Sequence, residues 1–416
     1  MKKYPSNIAA ILSRPRSFLF ATAALAALCA PAALAAPAQQ PPAGENYCQM
    51  VKNANARALC ATSREQFYAR NYRSALVTVK KALLASPEEG ILRAIAARII
   101  LAGLGDTAAT EAELRRAYKQ GAPYQTVLPM LLPLMVERHE EQSLLTEFAE
   151  PAPGAKGDEA GEILHGRALA LSSLDRLDEA ASVMDRALSL QHNVRNLVDR
   201  AEIAYRQNDP ALAGKMTDAA YHLDPKNRIA VLAKLKQIQR TGDAAKTIAF
   251  ARKTIEQNPG LLEPRRALIE TYMKLNQDAK AKAEVDSILA KAPRSNVGAI
   301  YKALLMARAN QKDEAWQIIF AVPPAFLKQN PDLALPMAQV AFDTGHQEVG
   351  GKLLGNAIAA APDLLDARLR LVELRLSQRS PQSALTLLSP VKSSQDPRVK
   401  RLMGQAQAQI AKDRGF

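Results

Sequence analysis

Between Leu262 and Pro293 the apolar positions fall at helical spacing. Ala267, Leu268, Tyr272 and Leu275 recur three and four residues apart, which sets them on one face of a helix. Asn276, Gln277 and Asp278 interrupt the pattern with turn-forming residues. Ala281, Val285, Ile288 and Leu289 then repeat it. Pro293 ends it, because a proline ring removes an amide donor and clashes with the preceding turn. The stretch predicts two short amphipathic helices folded back on each other, with the small Ala281 where they approach closely.

The same pattern recurs along the chain. Pro225, Pro259 and Pro293 stand 34 residues apart, and each follows about thirty helix-permissive residues. A fixed period of this length means stacked units, each burying its apolar face against its neighbours. The units are placed at Arg57–Pro87, Gly90–Pro123 with a turn at Gly105-Asp106, and Tyr124–Glu150, where Pro129 and Pro133 should disturb the first helix. They continue at Glu162–Asn193, Val194–Asn227, Arg228–Pro259, Gly260–Arg294, Ser295–Lys328, Pro331–Pro362 and Asp363–Gln395. Pro397 to Asp413 reads as one closing helix with Lys400, Arg401, Gln405, Gln407, Gln409 and Lys412 on a polar outer face. The domain reading is an array over 47–150, a loop or hinge at 151–161 (rich in Pro, Gly and Ala), and a second array with the closing helix over 162–416. The fold expected is an all-α solenoid of about ten helical hairpins.

Residues 1–36 stand outside that period. Lys2, Lys3, Arg14 and Arg16 precede an apolar run from Phe18 to Ala35, and Ala33-Leu34-Ala35 places small residues for a signal peptidase. This is expected to be a secretory signal, followed by a flexible Pro-rich leader at 37–46. Cys29 follows Leu28, which does not suit lipid attachment. The expected location is the periplasm or cell envelope of a Gram-negative bacterium. Membrane association is expected only through partners or an uncleaved signal. Cys48 and Cys60 are the cysteines left after cleavage, and an oxidising compartment would allow them to bond. On one continuous helix twelve residues would hold them about 18 Å apart, so a disulfide requires the chain to turn near Asn53-Ala54-Asn55.

Little in the sequence looks catalytic. The five histidines are scattered and none pairs at metal-ligand spacing. Phosphate-loop, HExxH, GxSxG and paired-cysteine zinc patterns are absent. Gly350-Gly351 falls inside a second-helix pattern. No enzyme activity, cofactor or metal is expected.

Charge says more. The chain carries +14, and +10 without residues 1–36. Residues 228–253 hold Arg228, Lys234, Lys236, Arg240, Lys246, Arg252 and Lys253 against Asp243. Such a surface favours anionic partners. Nucleic acid fits poorly, since 5% aromatic content supplies no stacking platform and Trp316 reads as core. Arg206, Arg240, Lys274 and Arg308 recur every 34 residues, late in the first helix of four consecutive units. Equivalent positions on stacked units form a row. Two readings stand for it: a cationic ladder for an anionic ligand, which Arg195, Lys236 and Arg266 could widen, or cations stabilising helix C-termini by about 0.3–1 kcal/mol each.

The units resemble the tetratricopeptide repeat, whose pattern has small residues, an aromatic and a closing proline at set places. Ala201, Ala204, Ala213, Ala220 and Pro225 occupy them in one unit, Tyr272, Ala281 and Pro293 in another, and Tyr72, Ala75, Ala82, Leu83 and Pro87 in the first; Ala303 and Ala315 follow, while Thr247 departs. The resemblance implies a right-handed superhelix whose first helices line a concave groove. It also implies that the cationic row lies in that groove. Over 112–135, 166–190 and 361–385 the chain further resembles the tetratricopeptide lipoproteins associated with exosortases and exopolysaccharide loci. That implies a non-catalytic envelope scaffold for polysaccharide assembly or export, binding other proteins, an acidic peptide segment or an anionic polysaccharide. A chaperone or assembly factor for a pilus or outer-membrane complex is the alternative.

Overall fold

The computed structural model describes residues 47–413, apart from 153, 155, 363, 393 and 395; the expected signal and leader lie outside the described residues. Among the described residues it is all-helical. The hairpins are α1 (Ala54–Tyr68) with α2 (Tyr72–Ala85), α3 (Gly90–Leu104) with α4 (Thr107–Lys119), and α5 (Tyr124–Glu137) with α6 (Glu141–Glu147). Then come α7 (Asp158–Ser173) with α8 (Leu177–Leu190), α9 (Val194–Arg206) with α10 (Pro210–Leu223), and α11 (Arg228–Arg240) with α12 (Ala244–Gln257). They continue with α13 (Glu263–Lys274) and α14 (Asp278–Lys291), then α15 (Asn296–Arg308) and α16 (Lys312–Phe320), followed by a short extra helix, α17 (Pro324–Gln329). The last are α18 (Ala334–Asp343) with α19 (Gln347–Ala360), α20 (Leu365–Ser377) with α21 (Pro381–Leu388), and the closing helix α22 (Pro397–Asp413). Ten hairpins and a closing helix form the solenoid.

Local chemistry explains the turns. Between the two helices of every hairpin one residue takes a left-handed backbone: Arg70, Gly105, His139, Asp175, Asn208, Gly242, Asn276, Asn310, Gly345 and Arg379, with φ from 53° to 87°. Gly, Asn and Asp tolerate that region, whereas Arg and His occupy it only where the surroundings enforce it. The next residue's amide reaches back five residues to close the helix end, as from Asp209 to Ala204 and from Gln277 to Tyr272, both 2.8–2.9 Å. Asn53, Asp106, Asn193, Asp209, Asn227, Asp243 and Ser295 cap the following helices through their side chains. Between hairpins the residue before proline is extended: Asp224, Asn258 and Ala292 have φ of −149°, −136° and −141°. Proline forbids the helical region to its predecessor, so each helix stops there.

The small positions lie where helices meet. Ala75, Ala82, Ala220, Ala281, Ala303 and Ala315 are fully buried. Thr247 is buried in the same role, and its hydroxyl donates to the Asp243 carbonyl at 2.9 Å. Leu275 differs from expectation: α13 ends at Lys274, so Leu275 falls on the cap and is 43% exposed.

Three other expectations are corrected. The proline-disturbed helix is continuous: α5 contains both Pro129 and Pro133. Each proline costs about 3 kcal/mol in a helix interior. Val127, Leu128, Leu131, Leu132, Leu134, Met135 and Val136 are all fully buried, and each such burial is worth about 1.5–3 kcal/mol. Burial therefore wins. The predicted loop at 151–161 ends early, because Asp158 to Gly161 already form the first turn of α7. The flanking arrays are also joined across it. Arg167 Nη1 donates to the Leu145 and Phe148 carbonyls at 2.8 and 2.7 Å, and the Tyr118 hydroxyl donates to Glu159 at 2.9 Å. Burial, then Glu159, push the Tyr118 phenol up to about 12. Finally, Pro323 and Pro324 cut the second helix after Phe320 and start α17.

Gly166 on α7 lets α5 approach. A Cβ there would lie 2.6 Å from the Cβ of the buried Leu132. Gly166→Val is expected to lower stability by about 1–3 kcal/mol through overpacking. Chemical denaturation checks this; an unchanged midpoint would mean the arrays are not tightly seated at this place.

The stack curves. First helices of successive hairpins contact one another, as α9 with α11 and α15 with α18, while successive second helices make at most sparse contacts. The first helices are therefore on the inner side. Arg266 on α13 shows this most directly. It reaches Asp332, two hairpins further on, at 2.5 Å.

Candidate functional site

The inner face carries the row seen in the sequence. Arg206, Arg240, Lys274 and Arg308 are the last residues of α9, α11, α13 and α15. Arg206 is 7% exposed at its side chain. It donates to the Ser172 carbonyl at 2.6 Å, the Ser172 hydroxyl at 2.7 Å and Asp175 at 3.0 Å. All three belong to the end of α7 or its turn, one hairpin earlier. Arg308 does the same to the Met273 carbonyl, Asn276 and Asp278 at 3.1–3.3 Å. Arg240 lies 3.6 Å over the Tyr205 ring and 3.3 Å from Glu202. Three members of the row are thus engaged with the preceding hairpin. The physical reason is the negative end of the previous first helix, where unpaired carbonyls lie one repeat away.

A continuous ligand ladder is accordingly not what the row forms. Lys274 is the exception: it is exposed and makes no hydrogen bond or ion pair. Lys236 is 54% exposed and 3.5 Å from Glu202, which it shares with Arg240. Burial works to raise the Glu202 carboxyl, but Lys236 and Arg240 outweigh it and hold it below the ordinary value.

Arg266 is engaged on both sides. Its Nε is 3.4 Å from the Tyr301 hydroxyl, and Tyr301, fully buried, donates to Glu270. Burial acts to lower the Arg266 guanidinium, and Tyr301, Asp332 and Glu270 more than reverse this. Burial, followed by Glu270, outweighs Arg266 and pushes the Tyr301 phenol up, so it stays a donor at neutral pH. Arg195 pairs with Glu162 at 2.6 Å. Of the sequence-level candidates, the structure leaves Lys236 and Lys274 as the inner-face cations open to a ligand.

At the N-terminus, Cys48 and Cys60 are joined by a disulfide with Cα atoms 5.6 Å apart. The chain turns at Val51–Asn53, between a 3₁₀ turn at Tyr47–Met50 and α1. Trp316 packs on the main core cluster and stacks on His346 with centroids 3.7 Å apart. A buried His165 pairs with Asp199 at 2.7 Å, again one repeat apart. The pair stands at the 34-residue period in the sequence, but its two members differ in type, so a repeated residue does not mark it. No group of three metal-ligating side chains occurs among the described residues.

Residues 240–305 match the tetratricopeptide repeat family model. The ten hairpins of the described residues repeat the same arrangement, a tetratricopeptide-repeat-like solenoid. Among solved structures it is similar to Pseudomonas aeruginosa pilF, at 16% identity over 51% of this chain and 96% of that one, with a TM-score of 0.38. It is similar to yeast Tom70 at 14% identity over 86% and 96%, TM-score 0.42. A tetratricopeptide repeat protein from Parabacteroides merdae covers 74% of this chain and all of its own length at 13% identity, TM-score 0.40. A search of curated proteins finds no match.

Proposed function

We propose that this chain is a non-catalytic, exported tetratricopeptide repeat scaffold of the cell envelope, acting in exopolysaccharide or envelope biogenesis. Its inner face would hold an acidic protein segment or an anionic glycan. The observation that carries this reading is the exposed, unpartnered Lys274 on the inner face, with the half-exposed Lys236 on the preceding first helix. Anions are drawn to an unpaired cation such as Lys274, and Lys236, which shares Glu202 with Arg240, keeps part of its charge available beside it. The Cys48–Cys60 bond supports export, since disulfides persist in oxidising compartments.

Charge reversal of the engaged cations would disturb the stack, so the test uses the open ones. A pull-down from periplasmic extract with the protein is compared with Lys236→Glu/Lys274→Glu. A polysaccharide-export component or glycan is expected with the native bait and is expected to be lost with the variant. Identical partners from both would move the binding surface elsewhere. Recovery of pilus or outer-membrane assembly factors would favour the assembly-factor reading.

A further inference from the structure

The outer helix of the first hairpin bears a feature that the scaffold reading does not use. On α2, Arg73, Val77, Lys80, Lys81 and Leu84 are exposed and spaced three, four and seven residues apart along one face. Val77 is 51% and Leu84 is 85% exposed. The side chains of Arg73, Lys80 and Lys81 make no hydrogen bond or ion pair, and neither does that of Arg70 in the turn before the helix. The helix contains no Asp or Glu.

Neither packing nor helix electrostatics accounts for this face. Leu84 leaves its side chain in water while Leu83 beside it packs on the core. Arg73 lies in the first turn, where the helix dipole disfavours a cation. Two outer helices further along the solenoid neutralise a cation within the helix, Lys282 with Asp286 and Lys352 with Glu348, which α2 has no acid to do. The imbalance extends over the first hairpin and α3: residues 47–105 hold nine Lys and Arg against three acids.

We propose that the exposed face of α2 is a docking surface for an anionic lipid membrane. The cations would meet lipid phosphates, and Val77 and Leu84 would enter the headgroup boundary; a basic face with protruding aliphatic side chains is what interfacial binding requires. Charge complementarity selects this occupant, because an apolar protein partner would leave four cations uncompensated. The helix needs only to lie flat on the surface. The binding is reversible, since two aliphatic side chains bury little area, and most of its strength is electrostatic.

The test uses the chain from residue 37, which retains every described residue and omits the apolar segment. It is sedimented with phosphatidylglycerol-containing vesicles and with pure phosphatidylcholine vesicles. Binding to the first, weak binding to the second and release by salt are expected. Arg73→Glu/Lys80→Glu/Lys81→Glu is expected to weaken binding about a hundredfold, at about fivefold per cation removed. Leu84→Ser is expected to weaken it by a smaller factor at unchanged charge. Circular dichroism confirms that the variants are folded, which their exposure favours. Equal binding by the triple variant, or no binding to anionic vesicles, overturns the proposal. So does recovery of a soluble protein partner whose capture depends on the same three cations in the absence of lipid.

Discussion

Tyr301→Ala is expected to destabilise the central repeats by about 3–5 kcal/mol, the range for emptying a large buried aromatic position. Tyr301 is fully buried among Ala267, Ile300, Leu304 and the rest of the largest core cluster. It also supplies the hydroxyl that links Glu270 to Arg266. The two contributions can be separated. Tyr301→Phe keeps the ring and removes the hydroxyl, which leaves a carboxylate and a guanidinium short of a partner; about 1–3 kcal/mol is expected. In a solenoid each unit packs mainly on its neighbours, so the loss should concentrate between α13 and α18. Hydrogen exchange read by segment checks this. If Tyr301→Phe matched the native protein, the Arg266–Tyr301–Glu270 network would contribute nothing and Tyr301 would act through packing alone.

The disulfide should act at the other end of the molecule. Cys48→Ser/Cys60→Ser is expected to lower the stability of the first hairpin by about 2–4 kcal/mol, since the bond closes a loop in the unfolded chain and both cysteines are buried in the folded one. The bond holds the 3₁₀ turn at Tyr47–Met50 against α1 and α3, where Cys48, Val51, Ala56, Cys60 and Leu92 form one cluster. Terminal units of a repeat array have a neighbour on one side only, so they fray first. Exchange protection in α1 and α2 should fall while that of α9 to α16 stays unchanged. A uniform loss along the chain would mean that the array unfolds as a single cooperative unit. No loss would mean that packing alone holds the terminal hairpin.

Period, helix content and hairpin boundaries were legible because each depends on local chemistry repeated at a fixed interval. The proline at each boundary constrains its predecessor whatever surrounds it, and small residues recur where helices touch. The left-handed turn residues were legible in part. Asn208, Gly242, Asn276 and Asn310 lie 34 apart and are residue types suited to that backbone. Arg70, His139 and Arg379 share the geometry without sharing the type, so composition alone hides them.

The cationic row shows where sequence reasoning stops. Its spacing was plain, and both readings of it were open. The choice depends on what lies one hairpin earlier: carbonyls at the end of the preceding first helix, Asp175 and Asn276 in the turn after it, and Asp278 at the start of the second helix. Those groups come within 3.3 Å only because stacking brings residues about 30 positions apart into contact. Likewise Pro129 and Pro133 argued for a broken helix until the burial of seven neighbouring side chains outweighed them. Local rules specify which helices form and where they turn. Packing between units specifies which charges are used internally and which, like Lys274 on the inner face and the α2 cations on the outer one, stay exposed without a side-chain partner.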